Sequence, residues 1–159
     1  MKQFKRKYFI SSSLIIFSVL IDQVSKKIVS IKKDFFTNGI EVNNFFNLVY
    51  LENRGISFGI FSKYELSFYL GILSFLISIY IGYLIKITQN KYEVISLSLI
   101  LGGAIGNGID RVKNNYVIDF FDFHIDIHHW PAFNFADAFI TVGGVMFFWQ
   151  VFFKNPEKK

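Results

Sequence analysis

The fold is organised around residues 102–138, GGAIGNGIDRVKNNYVIDFFDFHIDIHHWPAFNFADA. This stretch places ionisable side chains between or inside two strongly apolar segments: Asp110, Arg111, Asp119, Asp122, Asp126 and Asp137. An ionised carboxylate at membrane depth costs a few kcal/mol or more, so acids in such a position usually serve a function. The acids of this stretch are therefore the first candidates for a functional site.

The composition predicts an integral membrane protein that forms a single domain over residues 1–159. Hydrophobic residues make up 52% of the chain and charged residues only 18%, whereas a soluble domain usually carries about 25% charged residues. The chain has no cysteine, which excludes disulfides, thiolate metal ligands and a cysteine nucleophile. Its net charge of +5 comes from scattered Lys and Arg residues that flank apolar segments, so no nucleic-acid partner is expected.

Four apolar segments predict four transmembrane helices, at about 8–29, 66–87, 94–110 and 135–153. Each approaches the length of about 20 residues that a helix needs to cross the hydrocarbon core. The first follows a basic start, MKQFKRKY, and has no small-residue cleavage site after it, so we interpret it as an uncleaved span. Basic residues around the first span and at the C-terminal end predict that both termini are cytoplasmic.

The segment 30–63 is polar and rich in Asn, and it predicts a small extracytoplasmic β element rather than a helix. Asn38–Gly39 is typical of a tight hairpin turn. The β-branched and aromatic residues of 40–51 favour one or two strands. The stretch 53–59, NRGISFG, predicts either a simple turn or a loop that folds back towards the bilayer to line a site.

Asp119 and Asp137 are the strongest catalytic candidates on context. Asp119 lies among apolar side chains in VIDFF, and Asp137 lies at the start of the fourth predicted span. Desolvation raises the pKa of a carboxyl group, and two carboxyls brought close together share one proton, as in aspartic proteases. The alternatives are that Asp137 caps a helix start and that Asp119 pairs with Lys113.

Two further polar groups have both a structural and a functional interpretation. Asp22 and Lys26 stand four residues apart, so they form either an ion pair at a helix end or part of a site. Asp110 and Arg111, with Asn107, predict a structural polar network near the outer membrane edge. Because Arg binds anionic groups in a fork, binding of a substrate headgroup is the alternative.

The histidines of DFHIDIHH, residues 122–129, raise the question of a metal site. In a continuous strand, Asp122, His124, Asp126 and His128 would lie on one face, and such groups are able to bind zinc. A half-exposed strand with a polar outer face is the commoner explanation. No metal is therefore predicted, and the roles of His124, His128 and His129 stay open.

Five short motifs resemble those of the lipoprotein signal peptidases, the signal peptidase II family. They are, in order, Asp22-Gln-x-x-Lys26, Asn53-x-Gly-Ile-Ser-Phe-Gly59, Gly103-Ala-Ile-Gly-Asn107-x-x-Asp110-Arg111, Val117-Ile-Asp119-Phe and Pro131-x-Phe-Asn134-x-Ala-Asp137. The resemblance implies an aspartic endopeptidase of the bacterial cytoplasmic membrane with its active site towards the outer face. Its substrates would be diacylglyceryl-modified prolipoproteins, cleaved just before the lipidated Cys.

The resemblance also implies roles for individual residues. Asp119 and Asp137 match the catalytic pair. Other positions match residues that support the site or hold substrate: Asp22, Lys26, Asn53, Gly55, Asn107, Asp110, Arg111, Asn134 and Ala136. The family's outer β-cradle and amphipathic helix correspond to 30–63. No metal or organic cofactor is implied, and the expected partners of the monomer are prolipoproteins and membrane lipids.

Two other functions use the same residues. A small polytopic carrier would employ the acids as a proton relay. A non-catalytic membrane scaffold would need them only for packing. Peptide cleavage by the purified protein separates both from a peptidase.

Overall fold

The computed structural model describes residues 2–55 and 66–154, with side chains from residue 5 onwards and up to residue 153. Its helices are α1 (Lys2–Ile31), α2 (Lys33–Thr37), α3 (Ser67–Ile87), α4 (Lys91–Asn114) and α5 (Phe135–Trp149), the last extended by a π-helical turn, Gln150–Lys154. Its strands are β1 (Ile40–Asn43), β2 (Phe46–Asn53), β3 (Val117–Ile125) and β4 (His128–His129), joined in one antiparallel sheet in that order. The predicted combination of helices with a small sheet is confirmed.

Three helices are long and apolar enough to cross a membrane: Ser67–Ile87, Lys91–Asn114 and Phe135–Phe153. They cover the segments predicted at 66–87, 94–110 and 135–153. The segment 8–29 lies within α1 but is not among these three helices, so a fourth span stays a prediction. 

Helix α4 is the central helix of the bundle, because its glycines allow α1 and α5 to approach closely. A Cβ added at Gly102 would lie 2.6 Å from the Cβ of Ser18 on α1. A Cβ at Gly103 would collide with the carbonyl oxygen of Ala136 on α5. Small residues have this role in many membrane helix pairs. Most of α4 is accordingly buried, whereas only a small share of the apolar helices α3 and α5 is buried, as expected of helices that face lipid.

The sheet lies at the end of the bundle where α1 and α4 end and α3 and α5 begin. Its two long strands pair with Leu51 opposite Asp119 and Asn53 opposite Val117. A buried apolar cluster fixes the sheet against the end of α1 and against α2: Val29, Phe36, Tyr50, Ile118 and Phe120. This packing holds β3, and therefore Asp119, close to the start of α5.

The hairpin turn predicted at Asn38–Gly39 is wrong. Gly39, with φ of 73°, links the short helix α2 to β1 instead. The chain reverses after Asn43, whose side-chain Oδ1 accepts a hydrogen bond from the backbone N–H of Phe45 at 2.9 Å. The residues before Gly39 are helical because Phe36 packs into the core beneath the sheet.

The expectation of no helix in the segment 30–63 is therefore also wrong over its first part. Both strands expected in 40–51 are present, with β2 continuing to Asn53. The greater part of the predicted loop 53–59, from Ile56 onwards, lies outside the described residues. The rest of the β-rich segment up to residue 63 lies outside them as well.

Candidate active site

Asn134 joins the two candidate catalytic aspartates. Its Nδ2 donates to Oδ1 of Asp119 at 2.7 Å, and its backbone N–H donates to Oδ2 of Asp137 at 3.2 Å. Asn134 is completely buried, and Asp119 nearly so. Because a single residue bonds to both carboxyl groups, the structure brings Asp119 and Asp137 together in one site.

The start of α5 positions Asp137. Asn134 is the N-cap of this helix and accepts a hydrogen bond from the backbone N–H of Asp137, in a reciprocal capping box. A carboxylate in the first turn is also stabilised by the partial positive charge of the helix N-terminus. Asp137 thus takes part in capping this helix, as the N3 residue rather than as the N-cap, and its Oδ1 accepts a hydrogen bond from Nδ2 of Asn107.

Strand β3 positions Asp119. The alternative pairing with Lys113 is wrong, since Lys113 is exposed in the last turn of α4 and Asp119 has two amide partners instead. Asn53 on β2 donates to Oδ2 of Asp119 at 2.9 Å, and Asn134 donates to Oδ1. These two amide donors hold the carboxyl group in place, and their hydrogen bonds favour its charged form.

Burial, together with the negative charge of Asp137, raises the pKa of Asp119 to about 7, against the opposing effect of hydrogen bonds from Asn53 and Asn134. Near neutral pH, the pocket therefore holds a carboxyl group that both accepts and releases a proton readily. General acid–base chemistry depends on such a group beside a second carboxyl.

Lys26 organises a buried polar network behind Asp137. Its Nζ lies 2.8 Å from Oδ2 of Asp22, 2.7 Å from Oδ2 of Asp110 and 2.9 Å from Oδ1 of Asn107. The amide Nδ2 of Asn107 in turn donates to Oδ1 of Asp137 at 2.8 Å. Asp22 and Lys26 thus form the ion pair that their spacing suggested, and this pair is buried and bonded to the network around Asp137.

The same network holds the first turn of α5 against α1 and α4. Oδ1 of Asp22 accepts a hydrogen bond from the backbone N–H of Ala136 at 2.9 Å. Gly106 leaves the space for this contact, since a Cβ there would lie 2.5 Å from Oδ2 of Asp22. The fully buried Ala136 therefore contributes its backbone to the site.

Gln23 is a network residue that our sequence interpretation did not single out. Its Nε2 donates to Oδ1 of Asp110 at 3.0 Å and to the carbonyl oxygen of Gly106 at 3.2 Å. The available signal was a polar amide next to Asp22 in an otherwise apolar segment. Gln23 thus connects Asp110 on α4 to α1 by a hydrogen bond that does not involve Lys26.

Arg111 and the end of β2 close the other side of the pocket. Nη2 of Arg111 donates to the carbonyl oxygen of Gly55 at 3.1 Å, and the N–H of Gly55 donates to Oδ1 of Asn53 at 3.0 Å. The guanidinium also interacts electrostatically with Asp137 and Asp119. The pocket thus contains a fixed positive charge beside the two carboxyl groups.

The structure brings all the sequence-predicted site residues into this one connected network: Asp22, Lys26, Asn53, Gly55, Asn107, Asp110, Arg111, Asp119, Asn134, Ala136 and Asp137. Their contacts are geometric findings, and their roles in a reaction stay predictions.

The prediction of one continuous strand through DFHIDIHH is wrong. The chain reverses at Asp126, which has φ of 52°, so that His124 lies opposite His129 in the β3–β4 pair. Nδ1 of His129 lies 2.8 Å from Oδ1 of Asp122. Among the residues that the structure describes, no three His, Cys, Asp or Glu side chains are grouped so as to hold a metal ion.

Comparison with known proteins identifies a matching family model and several similar relatives. A family model described as signal peptidase (SPase) II matches residues 14–153. A lipoprotein signal peptidase of Clostridium tetani is 42% identical over 84% of this chain and 86% of its own length. That of Francisella tularensis subsp. novicida is 40% identical over 89% of this chain and 89% of its own length. That of Maridesulfovibrio salexigens is 35% identical over 86% of this chain and 91% of its own length.

Solved structures resemble the fold as well. A bacterial membrane enzyme determined by the in meso method at 2.3 Å superposes with a TM-score of 0.83, at 30% identity, over 94% of this chain and 91% of that one. A second, determined at 1.9 Å, has a TM-score of 0.78 over 90% of this chain and 92% of that one, also at 30% identity. The similarity thus extends over nearly the whole chain.

Proposed function

The chain belongs to the signal peptidase II family, and we propose that it is an aspartic endopeptidase of the bacterial cytoplasmic membrane. Its relatives named lipoprotein signal peptidase support the removal of signal peptides from prolipoproteins. We propose further that it cleaves immediately before a diacylglyceryl-modified Cys. It acts as a monomer with both termini in the cytoplasm and the pocket towards the outer face.

One observation supports the catalytic assignment: Asn134 forms hydrogen bonds with both Asp119 and Asp137. In the proposed reaction, the ionised carboxyl of the pair takes a proton from water, and the oxygen of that water adds to the scissile carbonyl carbon. The protonated carboxyl gives its proton to the carbonyl oxygen. Collapse of the tetrahedral intermediate breaks the C–N bond, and a proton passes to the amine of the released Cys.

The raised pKa of Asp119 supports a reaction in which one carboxyl group is protonated and the other ionised. With a pKa of about 7, Asp119 retains a proton under conditions where an ordinary aspartate is ionised. Asp137 accepts hydrogen bonds from the backbone N–H of Asn134 and from Nδ2 of Asn107. In the proposed reaction, the pair of carboxyls carries the single proton that is needed.

Aromatic rings near the candidate site fit a lipid-bearing substrate. Phe135 and Phe139, two positions to either side of Asp137 on α5, have ring centroids 6.3 Å apart, and Phe120 lies 6.0 Å from Phe135. Such rings offer a surface on which apolar chains pack. A substrate with two acyl chains and an apolar signal helix would enter sideways from the bilayer.

The direct test is cleavage of a diacylated test prolipoprotein by the purified protein, followed by mass spectrometry. We expect a product whose first residue is the lipidated Cys, and no product from the same precursor without the lipid. Asp119→Asn and Asp137→Asn should each abolish cleavage while the protein still inserts. Asp122→Asn is the matched control, because Asp122 lies on the same strand but bonds to His129 and Asn47 instead.

Retained cleavage by purified Asp137→Asn would refute the catalytic pair. Cleavage at a different bond would refute the assigned specificity while leaving a peptidase. If the unsubstituted protein leaves the diacylated precursor intact, the proposal of peptidase activity is refuted. A carrier or a scaffold would then be the remaining explanations.

A further inference from the structure

The β3–β4 hairpin presents large apolar side chains that no neighbouring element covers completely. Ile127 at its turn is 85% exposed, and Ile125 and Trp130 on either side are 68% and 63% exposed. None of the three belongs to the polar network of the pocket. Exposed apolar residues grouped in this way are typical of a contact surface.

The neighbouring turn between β1 and β2 adds to the same surface. Phe45 is 62% exposed, and its carbonyl oxygen accepts a hydrogen bond from the backbone N–H of His124 at 3.0 Å. An open cleft between the two hairpins is lined by Phe45, Phe123, Trp130 and imidazole rings. Indole and imidazole combine an apolar body with a polar edge, and Trp is enriched at the membrane–water interface.

A series of aromatic rings connects this hairpin to the lipid-facing helix α5. From Phe139 on α5, centroid distances of 6.3, 5.0, 5.5 and 5.8 Å lead through Phe135, Phe121 and Phe133 to Phe123 on β3. None of these rings is fully buried. A continuous series of partly exposed rings thus links α5 to the hairpin.

We propose that the β3–β4 hairpin rests in the bilayer leaflet on the sheet's side of the membrane, with Ile125, Ile127 and Trp130 among the upper parts of the acyl chains. The partner is the phospholipid surface itself. The aromatic series favours lipid over a protein partner because it begins on α5, a helix that is long and apolar enough to cross a membrane and of which only a small share is buried. Asp126 and His128 at the turn supply polar groups for the headgroup level.

This placement has a consequence for the pocket, because Asp119 lies on the same strand as Ile125. A hairpin fixed in the headgroup region sets the depth of β3 relative to the bilayer. The proposal needs only a membrane protein with this fold and does not depend on peptidase activity.

The test uses the two tryptophans of the chain, Trp130 and Trp149. In Trp149→Phe, which keeps an aromatic ring beside Phe153, the fluorescence reports on Trp130 alone. The variant is reconstituted in phosphatidylcholine vesicles whose acyl chains carry bromine either near the headgroup or near the methyl end. We expect strong quenching by bromine near the headgroup, weaker quenching by bromine near the methyl end, and little quenching by aqueous acrylamide. Trp130→Phe, which reports on Trp149 alone, is the control.

Two results would overturn the proposal. Efficient quenching of Trp130 by acrylamide with no effect of either brominated lipid would place the hairpin in water. Emission that neither quencher reaches would indicate a protein partner, such as a second copy of the chain. Because the chain has no cysteine, Ile127→Cys with an environment-sensitive fluorophore gives the same three outcomes if Trp149→Phe does not fold.

Discussion

Asn134 and Asp137 are joined by two reciprocal hydrogen bonds at the start of α5. The backbone N–H of Asp137 donates to Oδ1 of Asn134 at 3.0 Å, and the backbone N–H of Asn134 donates to Oδ2 of Asp137 at 3.2 Å. The same Asn134 side chain donates to Asp119. The capping box at the start of α5 therefore also sets the relative position of the Asp119 and Asp137 carboxyl groups.

Replacing Asn134 separates its two roles. Asn134→Ser keeps an N-cap oxygen but removes the amide donor to Asp119. We expect cleavage of the test prolipoprotein to slow by about tenfold or more, since a hydrogen bond to a charged group contributes about 1.5–3 kcal/mol. The Tm in detergent should fall as well, because a buried oxygen of Asp119 loses its hydrogen-bond donor. Asn134→Ala also removes the cap, which lowers stability by about 1 kcal/mol. A Ser variant with the parental rate would show that the amide donor has no part in catalysis.

The pH dependence of the reaction should report the raised pKa of Asp119. Activity should fall as the pH rises through about 7, because the pair then loses its shared proton. The hydrogen bond from Asn53 lowers the pKa of Asp119, so Asn53→Ala should raise it and move the alkaline limb of kcat/KM to higher pH. The apparent pKa values of this profile belong to the pair of carboxyl groups rather than to either residue. A limb that stays in place or moves to lower pH in Asn53→Ala would contradict this account.

The apolar segments and the motif order predicted much of this architecture. In lipid, backbone groups must bond within their own segment, so a long apolar run has few options besides a helix. The acidic residues could be recognised as candidates because placing a carboxylate such as Asp119 among apolar side chains costs free energy. Composition and local context therefore sufficed to identify three apolar helices and the two aspartates.

Features that depend on distant partners were not predictable. Asn38–Gly39 has the local sequence of a hairpin turn, but the packing of Phe36 against β2 and β3 makes the preceding residues helical. The reversal at Asp126 likewise follows from the pairing of β3 with β4. Gln23 was overlooked because two of its three acceptors, Gly106 and Asp110, lie on α4, far away in the sequence.

Helix packing around α4 can be tested with a pair of glycine substitutions. Gly103→Ala would place a Cβ against the carbonyl oxygen of Ala136, so α5 must move away from α4. We expect a clear fall in Tm and a loss of cleavage, because Ala136 and Asp137 move together. Gly144→Ala, on α5, is the matched control, since a Cβ there meets no atom within 4 Å. Equal effects of the two substitutions would show that close approach at Gly103 is unimportant.

The buried position of Lys26 makes it the most sensitive charge in the network. Lys26→Met leaves the carboxylates of Asp22 and Asp110 buried without their cation. Breaking a buried pair from one side usually destabilises a protein by about 3–5 kcal/mol. Lys33→Met is the control, because the Lys33–Glu52 pair is 51% and 26% exposed, and such surface pairs contribute about 0–1 kcal/mol.

Thermal unfolding in detergent should therefore show a large fall in Tm for Lys26→Met and almost none for Lys33→Met. A second substitution tests the cause. If uncompensated charge is the origin of the loss, adding Asp110→Asn to Lys26→Met should recover part of the Tm, because one buried carboxylate is then gone. If the loss came only from the missing side-chain volume of Lys26, the double variant would be no more stable than Lys26→Met alone, and the electrostatic explanation of this network would fail.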